Sequence, residues 1–286
     1  MSGATMMAGR VASANRSWLA RHGWLLTRRA AQLGILALFL LGPLAGVWIV
    51  KGNLSSSLTL GVLPLTDPYV LLQSLAAGRA LAGTALVGAA IVVAFYLLVG
   101  GRAYCSWVCP VNMVTDGAAW LRRRHVLAGG RTPSKQFRYW LLGATLVASY
   151  GAGAIVWEFV NPVSMFHRGL LFGVGLAWLV VLGVFLYDLL VAPRGWCGHV
   201  CPVGAAYSLI GKAALLRVAA PRRAACDDCG DCFKVCPEVQ VIKPALKGSG
   251  TPVVTAANCT NCGRCIDVCH AKVFRFTHRF DRREAS

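Results

Sequence analysis

A chain of 286 residues that is 56% apolar yet carries a formal charge of +18 is too hydrophobic for an ordinary soluble domain. The charge alone would suit a nucleic-acid binder, but the basic residues flank long uncharged runs rather than forming one stripe, which excludes that class. All twelve cysteines fall into motifs, so redox or metal chemistry becomes the leading question.

In chain order, residues 1–29 read as a basic tail. The run Ala30–Val50 follows, then Leu81–Val99, Tyr139–Trp157 and Leu170–Ala192. Each approaches the ~20 residues that carry a helix across ~30 Å of hydrocarbon. Only the last contains a charge, Asp188. Four transmembrane helices are the prediction. Arg28-Arg29 resemble a twin-arginine leader, but the run behind them exceeds the ~7–15 residues of a signal core and no A-x-A site follows. Of the 29 Lys and Arg, 26 lie in the N-terminal tail, the loop between helices 2 and 3, and the part after Pro193. The positive-inside rule then puts both termini and the middle loop in the cytoplasm.

Two decapeptides close the membrane half: "RAYCSWVCPV" at 102–111 and "RGWCGHVCPV" at 194–203. Each ends a unit of helix, loop, helix, with loops "DPYVLLQSL" (67–75) and "NPVSMFHRGL" (161–170). This predicts two parallel repeats about an axis along the membrane normal. Pro110 and Pro202 suit the first turn of a new helix, so Cys109 and Cys201 are expected at helix starts. The following segments, 111–124 and 203–218, read as interfacial helices with basic ends. Cys105, Cys109, Cys197 and Cys201 remain open between metal or cluster ligation, thiol chemistry and packing.

The last eight cysteines read "CDDCGDCFKVCP" (226–237) and "CTNCGRCIDVC" (259–269), each C-x2-C-x2-C-x3-C. That is the spacing of bacterial two-cluster ferredoxins, whose fourth Cys serves the other cluster. Cys226, Cys229, Cys232 and Cys269 are therefore expected to hold one [4Fe–4S] cluster, and Cys259, Cys262, Cys265 and Cys236 the second. The fourth Cys of each motif is expected inside a short helix. His270 stands where the first motif has Pro237 and reads as a solvated surface residue. Zinc ribbons need a different pairing of C-x2-C units, and disulfides suit an oxidising compartment.

The fold class is thus a four-helix membrane domain (30–218) behind the cytoplasmic tail, plus a small α+β two-cluster ferredoxin domain (219–286). With "KGNLSSSLTL", "GGRAYCSWVCPVNMVTD", "NPVSMFHRGL", "RGWCGHVCPVGA" and "CPEVQVIKPALKG", this arrangement resembles the NapH family over about Ala30 to Phe280. The resemblance implies a multi-pass inner-membrane quinol dehydrogenase component of the periplasmic nitrate reductase system. It would pass electrons to a periplasmic iron–sulfur partner, NapG, and carry no nitrate-reducing centre itself. A quinol site needs a polar partner in an apolar slot, and ionisable groups near membrane depth are the candidates. These are Glu158 and His167, with Asp67 nearby, toward the outer face, and Asp188 and His199 toward the inner. Trp48, Trp157 and Trp178 read as packing or interface residues. Because the charge rule puts both clusters inside while the family's acceptor lies outside, the four corner thiols are expected to act as a relay beside the quinol. The alternatives are an assembly or maturation factor, or a redox sensor, for another membrane enzyme.

Overall fold

The computed structural model describes residues 17–125, 129–173 and 175–281. Most of the tail at 1–29 therefore lies outside the described residues. The chain folds into two compact units, neither contiguous in sequence. One comprises Met1–Ala30, Tyr96–Trp107 and Ser208–Ser286; the other comprises Ala31–Phe95 and Val108–Tyr207.

The apolar runs become helices, the first longer and the other three shorter than expected. Helix α1 spans Trp18–Ala45 and is 28 residues long, starting well ahead of Ala30. Among the described residues it alone is both long and apolar enough to cross a membrane. Its successors are α3 (Gly83–Val99), α6 (Phe137–Ala152) and α8 (Gly175–Leu186), the last extended by a π turn at Tyr187–Val191. Glycine sets two of these limits. Gly153 at φ +60° ends α6, and Gly173 at φ +63° detaches Leu170–Phe172 from the fourth run.

In the second unit, the loop after α1 is a three-stranded antiparallel meander of β1 (Val50–Gly52), β2 (Ser56–Thr59) and β3 (Leu63–Thr66), with Val50 opposite Thr59 and Ser56 opposite Thr66. Sequence reading predicted only a loop here. Next comes α2 (Pro68–Ala76), whose counterpart in the other half is α7 (Pro162–Phe172). Both begin with an Asx-Pro pair, for the same reason. The Asp67 carboxylate accepts from Tyr69 N at 2.7 Å and the Asn161 carbonyl from Val163 N at 3.0 Å, while Pro sits where no helical N–H is needed. Helix α2 packs on α6, and α7 on α8.

Helix α4 (Ala103–Trp107) carries Cys105, and α5 (Val111–Arg124) starts just past Cys109 and Pro110. A π turn at Trp196–Val200 carries Cys197, and Cys201 ends it immediately before α9 (Pro202–Gly211). The expected helix at 203–218 stops at Gly211. Residues Leu216–Ala219 instead form strand β4, buried at every position but Leu216.

In the first unit, β4 pairs antiparallel with β5 (Arg275–His278), Leu216 opposite His278 and Ala219 opposite Arg275. Helices α10 (Asp231–Val235), α11 (Ile242–Lys247) and α12 (Arg264–Val268) surround a core of Val218, Ile242, Leu246, Val254, Val273 and Phe274. Each Cys motif uses the same backbone device. Asp228 (φ +60°) with Gly230 (φ +76°), and Asn261 (φ +47°) with Gly263 (φ +73°), turn the chain ahead of the short helix.

Candidate iron–sulfur and redox sites

The eight C-terminal cysteines converge four and four. Cys226, Cys229, Cys232 and Cys269 line one cavity, whose rim carries Asp227, Asp228 and Lys247. Cys236, Cys259, Cys262 and Cys265 line the other, against Val218, Val241, Ile242 and Val254. In both, the last Cys of a motif joins the first three of the other motif. Cys236 and Cys269 lie just past α10 and α12 in extended backbone, not inside the helices as expected, and the third Cys of each motif occupies the helix. That shift of one residue lets the fourth thiol leave its own loop. Phe274 lines both cavities.

The donor set fits iron–sulfur clusters. Burial first, then neighbouring thiolates, pushes the Cys232 thiol up to about 12. Burial likewise lifts Cys259 to about 11 and Cys265 well above the ordinary thiol range. Thiols so placed keep their protons unless a cation replaces them, which is what iron supplies. His270 is not solvated: its Nε2 lies 3.1 Å from the Asp227 carboxylate with 14% of its side chain exposed.

Residues Arg102–Trp107 of the first decapeptide, Cys105 among them, belong to the same unit as these cavities. Arg102, 1% exposed, donates to Glu238 at 2.6 Å and to Asn258 O at 3.1 Å. Ser106 donates to Thr260 O at 2.7 Å and Trp107 Nε1 to Asn261 O at 3.0 Å. Asn261 in turn donates to Val99 O and Leu216 O. The equivalent arginine of the second decapeptide, Arg194, instead lies 3.8 Å from Asp116. Sequence reading passed over Arg102 and Arg217, although Arg102 is the first residue of a repeated motif.

In the other unit, the ionisable candidates take different environments. Glu158 is fully engaged, accepting from Ser55 at 3.0 Å, Asn161 at 2.8 Å and Ser164 at 2.6 Å. Asp188 is fully buried rather than near a wet helix end, and accepts from Trp196 N at 2.8 Å, holding the second Cys turn. His167 is buried against Phe39, and its Nε2 has no hydrogen-bond partner. His199 is partly buried between Cys197 and Cys201. Asp67 accepts from Tyr207 of α9, so its loop reaches the segment that follows the second decapeptide. Cys105 and Cys109 are buried, Cys197 and Cys201 partly so, and Thr115 Oγ1 lies 3.9 Å from Cys197 Sγ. Trp157 is buried and Trp178 packs on Gly169, as expected of packing residues; Trp48 lies against Gly42 while half exposed.

A second route to the same chemistry comes from comparison with known proteins. The family described as "4Fe-4S binding domain" matches residues 81–127 and again 174–223, once over each decapeptide. The "4Fe-4S dicluster domain" matches residues 225–273. The methylamine utilization ferredoxin-type protein MauN of Paracoccus denitrificans is 55% identical over 96% of this chain and 97% of its own. MauN of Methylorubrum extorquens is 54% identical over 93% of each. The ferredoxin-type protein NapH of Escherichia coli is 48% identical over 96% of each. The chain belongs to the NapH/MauN family. Like the rest of that family it is a ferredoxin-type iron–sulfur electron-transfer protein. No solved structure matches it. In NapH/MauN terms, the doubled match is the duplication that the two decapeptides announce, and the dicluster match is the pair of four-thiol cavities.

Proposed function

We propose that this chain is a membrane-bound electron carrier that takes electrons from quinol and passes them to a periplasmic iron–sulfur partner of the NapG type, toward periplasmic nitrate reductase. The observation that carries this reading is the union, in one chain, of a duplicated apolar C-x3-C-P unit with eight thiols gathered four and four. Cys226, Cys229, Cys232 and Cys269 hold one [4Fe–4S] cluster; Cys236, Cys259, Cys262 and Cys265 hold the other. Each supplies one-electron redox chemistry, so two together match the two electrons of a quinol.

Helices α1, α3, α6 and α8 with its π turn are the four spans of an inner-membrane protein with both termini cytoplasmic. Large apolar side chains point outward along them, among them Leu86, Leu98, Trp140, Val147, Leu176 and Leu179, and these need lipid. The 17 residues of α3 rise roughly 25 Å, within what local bilayer thinning absorbs. The tail (1–29), membrane domain (30–218) and ferredoxin domain (219–286) remain the functional division. Cys105, Cys109, Cys197 and Cys201 serve as redox or ligand thiols. Among the quinol candidates, Glu158 is occupied by the side chains of Ser55, Asn161 and Ser164, whereas His167 keeps a buried ring nitrogen, and Asp188 a buried carboxylate oxygen, to spare for a quinol oxygen.

The test is anaerobic reduction of the purified, cluster-loaded protein by a short-chain quinol, followed by cluster absorbance and EPR. Bleaching of the cluster bands is expected. Clusters that dithionite reduces but quinol leaves oxidised would sink the reading. Replacing Cys105 and Cys197 with Ser should block quinol-driven reduction while both clusters stay in place.

A second reading has support of its own. Two MauN relatives are 54% and 55% identical against 48% for the E. coli NapH, which favours service to a methylamine utilization system, as electron carrier or maturation factor. Expression in hosts lacking either NapH or MauN decides between them by which growth defect it repairs.

A further inference from the structure

The two clusters do not have equivalent surroundings. Four hydrogen bonds from the Arg102–Trp107 segment reach the ferredoxin fold beside one set of cysteines. Arg102 bonds Glu238, two residues past Cys236, and Asn258 O, next to Cys259. Ser106 and Trp107 bond the carbonyls of Thr260 and Asn261, between Cys259 and Cys262. Cys105 lies within this segment, so its backbone is tied to the loop of the second four-thiol cavity.

Charge separates the cavities too. Arg217 on β4 is 3% exposed, and all its hydrogen bonds go to carbonyls: Gly211, Lys212, Ala214 and Ala256. No carboxylate pairs with it among the described residues. Arg217 reaches the carbonyl of Ala256, three residues before Cys259, and its neighbour Val218 lines the second cavity, while the Arg102 charge is offset by Glu238. The first cavity instead has Asp227 and Asp228 on its rim with Lys247. Cluster potentials follow local net charge, and an extra electron is stabilised by a nearby cation.

We propose that the cluster held by Cys236, Cys259, Cys262 and Cys265 is the one that receives electrons from the first decapeptide, and that Arg217 is the charge that sets its potential. The proposal rests on quinol as donor for its first half only. Quinol releases two electrons and two protons; each cluster takes one electron, and the protons leave to water. Arg217 is a positioning residue, acting on the cluster through charge.

EPR-monitored redox titration of the full-length, cluster-loaded protein tests both halves. Arg217→Gln and Arg217→Met should lower one midpoint and leave the other in place, while Arg217→Lys should hold both near their original values. Asp227→Asn should raise the other midpoint alone. Equal midpoints in the Gln, Met and Lys variants overturn the role of Arg217, and the Met variant serves if the Gln variant loses iron. For the order of transfer, Cys259→Ser should leave the remaining cluster reducible by dithionite but not by quinol. Cys226→Ser should leave quinol-driven reduction of the second cluster intact, and the reverse pattern overturns the order. If quinol reduces nothing in the unaltered protein, the quinol reading fails while the Arg217 titration still stands or falls by itself.

Discussion

Two buried polar sites carry opposite predictions about stability. Arg102 and Glu238 form an ion pair with 2% and 1% side-chain exposure. Removing one partner of such a pair strands a buried charge, which costs about 3–5 kcal/mol. Arg102→Ala or Glu238→Ala should therefore strip iron from the protein and lower its thermal midpoint, whereas Arg102→Met with Glu238→Leu should recover most of the loss. Iron content and thermal unfolding in detergent check this. His167 is the converse case, since its buried Nε2 has no partner. An unsatisfied buried group costs about 1–3 kcal/mol, so His167→Leu should leave thermal stability equal or higher while cutting quinol-driven cluster reduction severalfold. A loss of stability with unchanged reduction would assign His167 to structure alone. The cysteines were legible because thiol spacing is itself the chemistry. The arginines were not, because a long cationic side chain in sequence looks the same whether it lies on lipid headgroups or, like Arg217, inside a sheet.

At the scale of elements, the paired Asx-Pro starts of α2 and α7 are alike in form and different in charge. Asn161 caps α7 and also donates to Glu158 at 2.8 Å, which a carboxylate cannot do. Asn161→Asp should keep the cap yet oppose Glu158, costing more stability than Asp67→Asn, which retains the cap without adding charge. Comparing the two thermal midpoints tests this. Gly100 makes a second case: at φ +108°, a Cβ there would meet the Asn261 side chain. Gly100→Ala should thus loosen the Cys259–Cys262 loop and lower cluster occupancy. The caps and Cys corners could be read from sequence because Asx, Pro and Gly act locally. The meander at Val50–Thr66 and strand β4 could not. Short strands depend on partners far along the chain, and the partner of Leu216 is His278. The fourth apolar run misled for a local reason, since hydropathy does not register the left-handed turn at Gly173.

For the whole molecule, the two cavities should empty at different rates. One is rimmed by Asp227, Asp228 and Lys247, the other walled by aliphatic side chains and tied to α4. Chelator with mild oxidant should remove the Cys226 cluster first, giving two kinetic phases of iron release; a single phase would refute the distinction. Reporter fusions after Pro193 and near Phe280 should both report cytoplasm, and an outside signal at either would reverse the charge-based topology. The dicluster segment at 225–273 could be read from its Cys spacing. The interleaving of residues 96–107 with 208–286 in one unit could not, because hydropathy says nothing about which loops are bound to one another.

The N-terminal turns of α1 carry one last consequence. Trp24 N and Leu25 N donate to Asp267, and Arg264 donates to Arg21 O. Gly263 leaves room there for Trp24, since a Cβ would lie 2.5 Å from the indole ring. The first turns of α1 are thus fastened by residues far along the chain, inside the second Cys motif. Where that motif is left without iron, these turns should lose their dock and show themselves to proteases at Trp18–Arg29.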